Sequence, residues 1–351
     1  MAIRDRIIGA GFAALGATGL HRLASGFTRG RGAILMLHQV RPWRPPTPGY
    51  APNRLMEITP EFLDIVLTLV KRSGFDLVSM DEALDRLAAS SSRPFAALTF
   101  DDGYRDNVEH ALPVLERHGA PFTVHVATGI TDRSARMWWL ELEEAVRRAD
   151  AIECKIKGRA QTLTARTPRE KTNAFATIYR DLRAGPEPKL LDAIGGLAAR
   201  WGVNGRGFAE DLCMDWAEIK SLSQHPLATI GAHSNTHKML AKWPAEIASE
   251  EMRGSKLTIE AHIGRPVRHF AYPVGDPTSA GAREFALARE IGFSSAVTTR
   301  PGMLFSEHRN HVLALPRLSI NGNWQDARYT EMLLSGAPFA LWNRGRRVNV
   351  D

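Results

Sequence analysis

From Ala33 onward the chain keeps returning to one pattern, a short apolar run ending on a polar residue and then a segment with apolar side chains at helical spacing. AILMLH ends at His38, FDLV at Val78 and FAALTF at Asp101. FTVHVAT, LATIGA before His233, RHFAYP and SSAV repeat the theme. The segments between them carry end signals. Thr59 and Pro60 open a helix whose apolar residues Phe62, Ile65, Val66, Leu69 and Val70 share a face, and Gly74 closes it. Ser79 and Glu82 have capping-box spacing, and further helices are expected over 106–118, from about Pro244, and over 280–291. Such alternation predicts an α/β fold with a parallel sheet, open or closed as a barrel, and helices outside it.

The pattern breaks between Asp132 and Asp215, where strand signals fade and several charged helical stretches follow one another. We therefore expect an N-terminal segment over 1–32, a first part of the barrel over 33–131 and a helical insertion over 132–214. A second part over 215–340 and a loose basic tail over 341–351 complete the division. Trp138, Trp139, Leu142 and Val146 fall at helical intervals, so the tryptophans read as packing before they read as sugar platforms. Asp215 and Glu218 form a second capping-box spacing and are assigned to structure.

With 351 residues and 44% hydrophobic composition the chain can bury a large core. Two cysteines, Cys154 and Cys213, cannot build a disulfide framework or a Cys-rich zinc site. The net charge of +7 comes from scattered basic residues without interleaved aromatics, so a nucleic-acid partner is not expected. Residues 7–20, IIGAGFAALGATGL, are uncharged and follow two arginines. That resembles a secretory apolar region but lacks a clean cleavage site, and an amphipathic segment lying on a membrane surface is the preferred reading. The expected location is cytoplasmic, at the inner membrane face, with secretion left open.

In parallel α/β folds, ligands gather where the strands end. Three strand ends here are chemically unusual: TFDDG at 99–103, HSNTH at 233–237 and AYPVG at 271–275. Two adjacent carboxylates behind an apolar strand resist joint ionisation unless a cation or proton relieves them. Asp101 and Asp102 alone could also be an ordinary turn before Gly103. His233 and His237, four apart, can face one cation, and together with one carboxylate they make a catalytic zinc set with open positions. The second aspartate is then free to act as base, and spacing does not say which one.

These motifs resemble the polysaccharide deacetylase family, the carbohydrate esterase group that includes nodulation-type chitooligosaccharide deacetylases and the peptidoglycan and chitin deacetylases. TFDDG matches its first motif and HSNTH its second, and the likeness runs from about His38 to Ile320. It implies a distorted (β/α) barrel of about seven parallel strands, here with a helical insertion. It also implies metal-dependent hydrolysis of N-acetyl groups from a glycan. Asp101 becomes the base, and Asp102, His233 and His237 hold a divalent ion, Zn2+ first with Co2+, Ni2+ or Mn2+ also compatible. The ion and a backbone N–H near the third motif would stabilise the oxyanion, and Tyr272 and Pro273 in that motif would face substrate.

Two departures matter. Ala271 stands where many members carry the arginine that orients the base, and the late L-x-H motif that supplies the general acid is missing from HVLALPRLSI. AYP at this position is similar to the branch with poly-N-acetylglucosamine deacetylases. We expect Arg317 to supply the displaced charge and His38, or else His311, to protonate the leaving amine. The same features leave open a glycan-binding pseudoenzyme, or an amidohydrolase on a similar barrel.

Overall fold

The computed structural model describes residues 19–43, 49–90 and 93–350. The apolar stretch at 7–18 lies outside the described residues. Twelve strands are present: β1 (Gly32–Leu37), β2 (Gln39–Val40), β3 (Glu57–Ile58), β4 (Asp76–Val78), β5 (Phe95–Phe100), β6 (Phe122–Val126), β7 (Ala151–Ile156), β8 (Arg159–Thr164), β9 (Ala228–Ala232), β10 (His269–Ala271), β11 (Ser295–Pro301) and β12 (Leu315–Ser319). Around them, before the 132–214 segment, lie α1 (Leu20–Thr28), α2 (Pro60–Arg72), α3 (Met80–Ala88) and α4 (Leu112–His118). That segment holds α5 (Trp138–Arg148), α6 (Pro168–Ala184), α7 (Glu187–Arg200) and α8 (Gly205–Leu212). Then come α9 (Trp216–Leu222), α10 (Ala245–Ile263), α11 (Ala282–Ile291), α12 (Ala327–Leu334) and α13 (Ala337–Trp342).

Seven parallel strands close a ring in the order β1, β12, β11, β10, β9, β6, β5, because β5 pairs back with β1 from Gly32↔Phe95 to Leu37↔Phe100. The short β4 shares one edge of β5 with β6, taking Phe95–Ala97 while β6 takes Leu98–Phe100. The expected distorted barrel is thus observed.

Alternation along the strands decides what points where. Ala96, Leu98 and Phe100 of β5, with Phe122, Val124 and Val126 of β6, join the large core beneath the helices. Phe95 and Ala97 pack in a smaller interior cluster with Ile34, Ala271, Val297 and Leu315. Each fully buried Leu or Phe in such a core contributes roughly 1.5–3 kcal/mol relative to exposure. Carried two residues on, the inward register delivers Thr99 and then Asp101 to the barrel mouth.

The helix ends follow their sequence signals. Thr59 caps α2 by accepting from Phe62 N, and Asp215 and Glu218 cap α9 reciprocally. Ser79 accepts from Glu82 N at the start of α3.

Two expectations change. The 132–214 segment is not purely helical, since β7 and β8 form an antiparallel hairpin from Ala151↔Thr164 to Ile156↔Arg159. Its turn residues Lys157 and Gly158 both have positive φ, 50° and 76°, the two-residue geometry that matches strand twist. The tail beyond Trp342 is tied down rather than loose. Asn343 Nδ2 donates to Pro301 O at 2.9 Å, Arg300 donates to Asn349 O at 3.2 Å, and Arg347 lies 5.1 Å over Phe305.

Candidate active site

Asp101 follows β5 and is 2% exposed. Its backbone N–H bonds Leu37 O, which pins the strand end. Arg317, on β12, which with β5 flanks β1 in the ring, meets its carboxylate with two guanidinium nitrogens, at 2.9 and 2.7 Å. The same guanidinium donates to Thr99 Oγ1 and Thr298 O, so four of its five N–H groups are engaged. Ala271, in the same interior, has no side chain beyond Cβ to compete for that space. On the other side His125 Nδ1 lies 3.3 Å from Asp101 Oδ1. Burial by itself would raise the Asp101 carboxyl, yet Arg317, His125 and His233 together hold it well below the ordinary range.

His125 was not anticipated from the sequence. The signal was available, because the outward Phe122, Val124 and Val126 leave Thr123 and His125 facing inward by alternation. Its imidazole is fully buried, and burial lowers its pKa to about 4 despite Asp101, so the ring is neutral at physiological pH. Gly231 on β9 makes room for it, since a Cβ there would stand 2.5 Å from His125 Cδ2.

Asp102 turns the other way. Its φ of 72° is a left-handed conformation that Asp tolerates better than most residues, and it takes the carboxylate out of the strand register. Asp102 Oδ1 lies 3.4 Å from His233 Nε2 and 3.3 Å from His237 Nε2, and it has no hydrogen-bond partner among the described residues. His233 Nδ1 faces Ala271 O at 2.7 Å, so in the neutral ring the proton sits on Nδ1 and the Nε2 lone pair points at the carboxylate. Lone pairs facing lone pairs in a buried pocket call for a cation between them. Tetrahedral ligands at zinc distances are about 3.3 Å apart. One atom from each of Asp102, His233 and His237 lies within 4.8 Å of the others, and the donor set fits a divalent metal.

The 132–214 segment forms the wall behind this triad. Trp139 is 6% exposed and its ring centroid is 4.7 Å from that of His237, so the two tryptophans pack instead of forming an exposed platform. Glu187, 1% exposed, accepts from Met239 N at 2.8 Å and Trp243 Nε1 at 2.5 Å, which fixes the loop that carries His237.

His38 ends β1 at the mouth, partly exposed. Burial lowers its pKa, opposed by Asp102 and Asp101, whose charges reach it. Asn107 Nδ2 holds its carbonyl at 2.8 Å.

Two expected residues, Tyr272 and His311, are not brought into the cavity. Tyr272 is fully buried, with its hydroxyl donating to Leu313 O at 2.9 Å and its N–H spent on Val297 O. It is a core residue, because the period of β10 carries it outward to Phe270 and Phe285, and its N–H is not an oxyanion donor. Pro273 is buried beside it, its carbonyl accepting from Gly275 N. His311 sits in the turn that leads into β12, at the end where strands begin, opposite the carboxylates.

The family profile described as "Polysaccharide deacetylase" matches residues 88–183 and 189–294, more than half of the chain. The matched range includes Asp101, Asp102, His125, His233, His237 and Ala271 but neither His38 nor Arg317. No curated protein matches the sequence. Among solved structures, the deacetylase PplD of Streptococcus pyogenes in complex with acetate is 18% identical, with a TM-score of 0.56 over 86% of this chain and 97% of its own. IcaB from Ammonifex degensii is 18% identical, with a TM-score of 0.52 over 86% and 97%. The de-N-acetylase from Aggregatibacter actinomycetemcomitans is 14% identical, with a TM-score of 0.51 over 86% and 99%. At these identities the likeness is one of fold.

Proposed function

Because this chain belongs to the polysaccharide deacetylase family, hydrolases that cleave carbon–nitrogen bonds other than peptide bonds in acetylated carbohydrate, we propose the following mechanism for it. It removes N-acetyl groups from a glycan of the poly-N-acetylglucosamine type, with Asp102, His233 and His237 holding a divalent metal and Asp101 acting as base. The donor set suits Zn2+, and Co2+, Ni2+ or Mn2+ could replace it. Bound there, the ion would polarise the acetamide carbonyl and lower the pKa of an adjacent water.

The chain's own residues do the rest. Asp101, kept ionised by Arg317, takes the proton of the attacking water. Arg317 and His125 fix the carboxylate's orientation, the part played elsewhere by the arginine that Ala271 replaces. His38 protonates the departing glucosamine nitrogen, and the burial that lowers its pKa makes it a stronger acid once charged.

The observation that carries this reading is the unequal treatment of two neighbouring carboxylates, one neutralised by an arginine and one left with an oxygen unpaired. The same observation speaks against a binding-only protein, for the displaced arginine is replaced. Support for a glycan substrate comes from the family profile, described as polysaccharide deacetylase, and the reaction is in keeping with a fold shared with the Aggregatibacter de-N-acetylase and with PplD, a deacetylase in complex with acetate.

The test is acetate release from a panel of N-acetylated glycans, with and without chelator, on the protein and on Asp101→Asn. Release that chelator abolishes, and that falls at least about 100-fold in the variant, is expected. Bound metal with no acetate from any glycan would sink the enzyme reading.

A further inference from the structure

Seven large hydrophobic side chains stand exposed among the described residues, and four of them lie on two helices that pack together. Leu23 and Phe27 on α1 are 79% and 82% exposed, and Leu341 and Trp342 on α13 are 68% and 50% exposed. Leu23 and Phe27 are four apart and share one face. The helices meet closely. Thr28 Oγ1 donates to Ser335 O at 2.6 Å, and a Cβ on Gly336 would collide with Thr28 O. Phe27 lines the same hollow as Phe339, Arg346 and Arg347, so apolar and basic groups of the two segments share it.

The charge pattern is one-sided. No acidic residue occurs from Arg6 to Met56 or from Met332 to Val350, the two stretches that build this surface. Arg22, Arg344, Arg346 and Arg347 are exposed on it. The acids that reach it belong to other elements: Glu331 lies 3.5 Å from Arg22 and Glu307 lies 3.4 Å from Arg347. Exposed pairs of this kind neutralise little. Exposed Leu, Phe and Trp side chains on two packed helices, in stretches where guanidinium groups exceed carboxylates, complement an interface with acyl chains below and phosphates above. The sequence just before α1 continues the apolar character, with no charge after Arg6 until His21 and Arg22.

We propose that the surface formed by α1 and α13 seats the protein on a bilayer that contains anionic phospholipid. No helix among the described residues is long and apolar enough to cross a membrane, and the contact proposed for α1 and α13 is one that lies on the bilayer surface. α1 ends at Thr28, just before β1 begins at Gly32, which puts the surface at the barrel end opposite Asp101 and His233. The catalytic mouth then faces away from the lipid.

The experiment is co-sedimentation of the full chain with vesicles of phosphatidylcholine alone and of phosphatidylcholine mixed with phosphatidylglycerol. Binding to the mixed vesicles only, weakened by added salt, is expected. The Leu23→Glu/Phe27→Glu variant should bind them about tenfold or more weakly at an unchanged melting temperature, as both side chains lie outside the core. Three outcomes overturn the proposal: no binding of the full chain to either vesicle, undiminished binding by the variant, or self-association without lipid that the variant abolishes, which would assign the surface to a second copy of the chain.

Discussion

Asp101 and Asp102 are neighbours in the chain, equally buried, and at opposite electrostatic poles. Asp101 faces the barrel interior, where Arg317, itself held by Thr99 Oγ1, grips it with two N–H groups and the His125 ring lies 3.3 Å away, all rooted in strands. Asp102, rotated out by its positive φ, faces two imidazoles on a loop braced by the 132–214 segment. The first is neutralised within the protein and is rigid. The second keeps an oxygen without a hydrogen-bond partner among the described residues, in a donor set that fits a divalent metal, and is backed by a wall supplied by another part of the fold. A base must keep its charge yet stay uncoordinated, whereas a ligand must keep an oxygen free, and one peptide bond separates the two solutions.

The largest expected effects come from exchanging these roles. Asp102→Asn should lower metal affinity at least about 100-fold, beyond what loss of a supporting contact gives, while Asp101→Asn keeps the metal and loses turnover. Metal titration against a competing chelator, run beside acetate release, measures both, and equal metal loss in the two variants would erase the distinction. Next in size is Arg317→Met. It strands a buried carboxylate without its partner, so unfolding stability should fall by about 3–5 kcal/mol, measured in denaturant. A change within about 0.5 kcal/mol would mean that Asp101 does not need the arginine.

Smaller is Glu187→Ala, which leaves Met239 N and Trp243 Nε1 without their acceptor. Metal affinity should drop about tenfold with Asp101 chemistry intact, and unchanged affinity would free the triad from its wall.

The smallest concerns a third carboxylate nearby. Asp106 accepts from Val40 N and Asn107 Nδ2, and burial raises its pKa from 3.8 to about 7. A carboxyl raised on folding gives stability that is full below the unfolded pKa and is lost as pH rises through the folded one. Asp106→Asn should therefore flatten the decline in stability between about pH 4 and 7, followed by melting temperature. An unchanged slope would show that burial does not hold the Asp106 carboxyl above its ordinary range.

Much of this was readable in the residues. The strand-and-helix rhythm, the inward period of β5 and the two motifs put Asp101, Asp102, His233 and His237 at one mouth before any coordinates, since each signal is local. What was missed is long-range or masked. Arg317 could be proposed, but whether it was a surface ion pair or an interior clamp depended on which neighbour β12 takes in the ring. Tyr272 looked functional because it sits in a motif, and only the outward register of β10 makes it core. The β7–β8 hairpin hid because β8 is exposed along nearly its whole length, leaving no apolar alternation to detect.

The span between Asp101 and Arg317, 216 positions, carries a consequence for biogenesis. β1 and β5 can pair as soon as the first hundred or so residues have emerged, and the proposed metal ligands follow by His237. Until β12 is made and slots beside β1, the nascent barrel holds an uncompensated negative charge in its lumen. Synthesis of the final strand is thus the event that both shuts the ring and brings Asp101 its buried counter-charge.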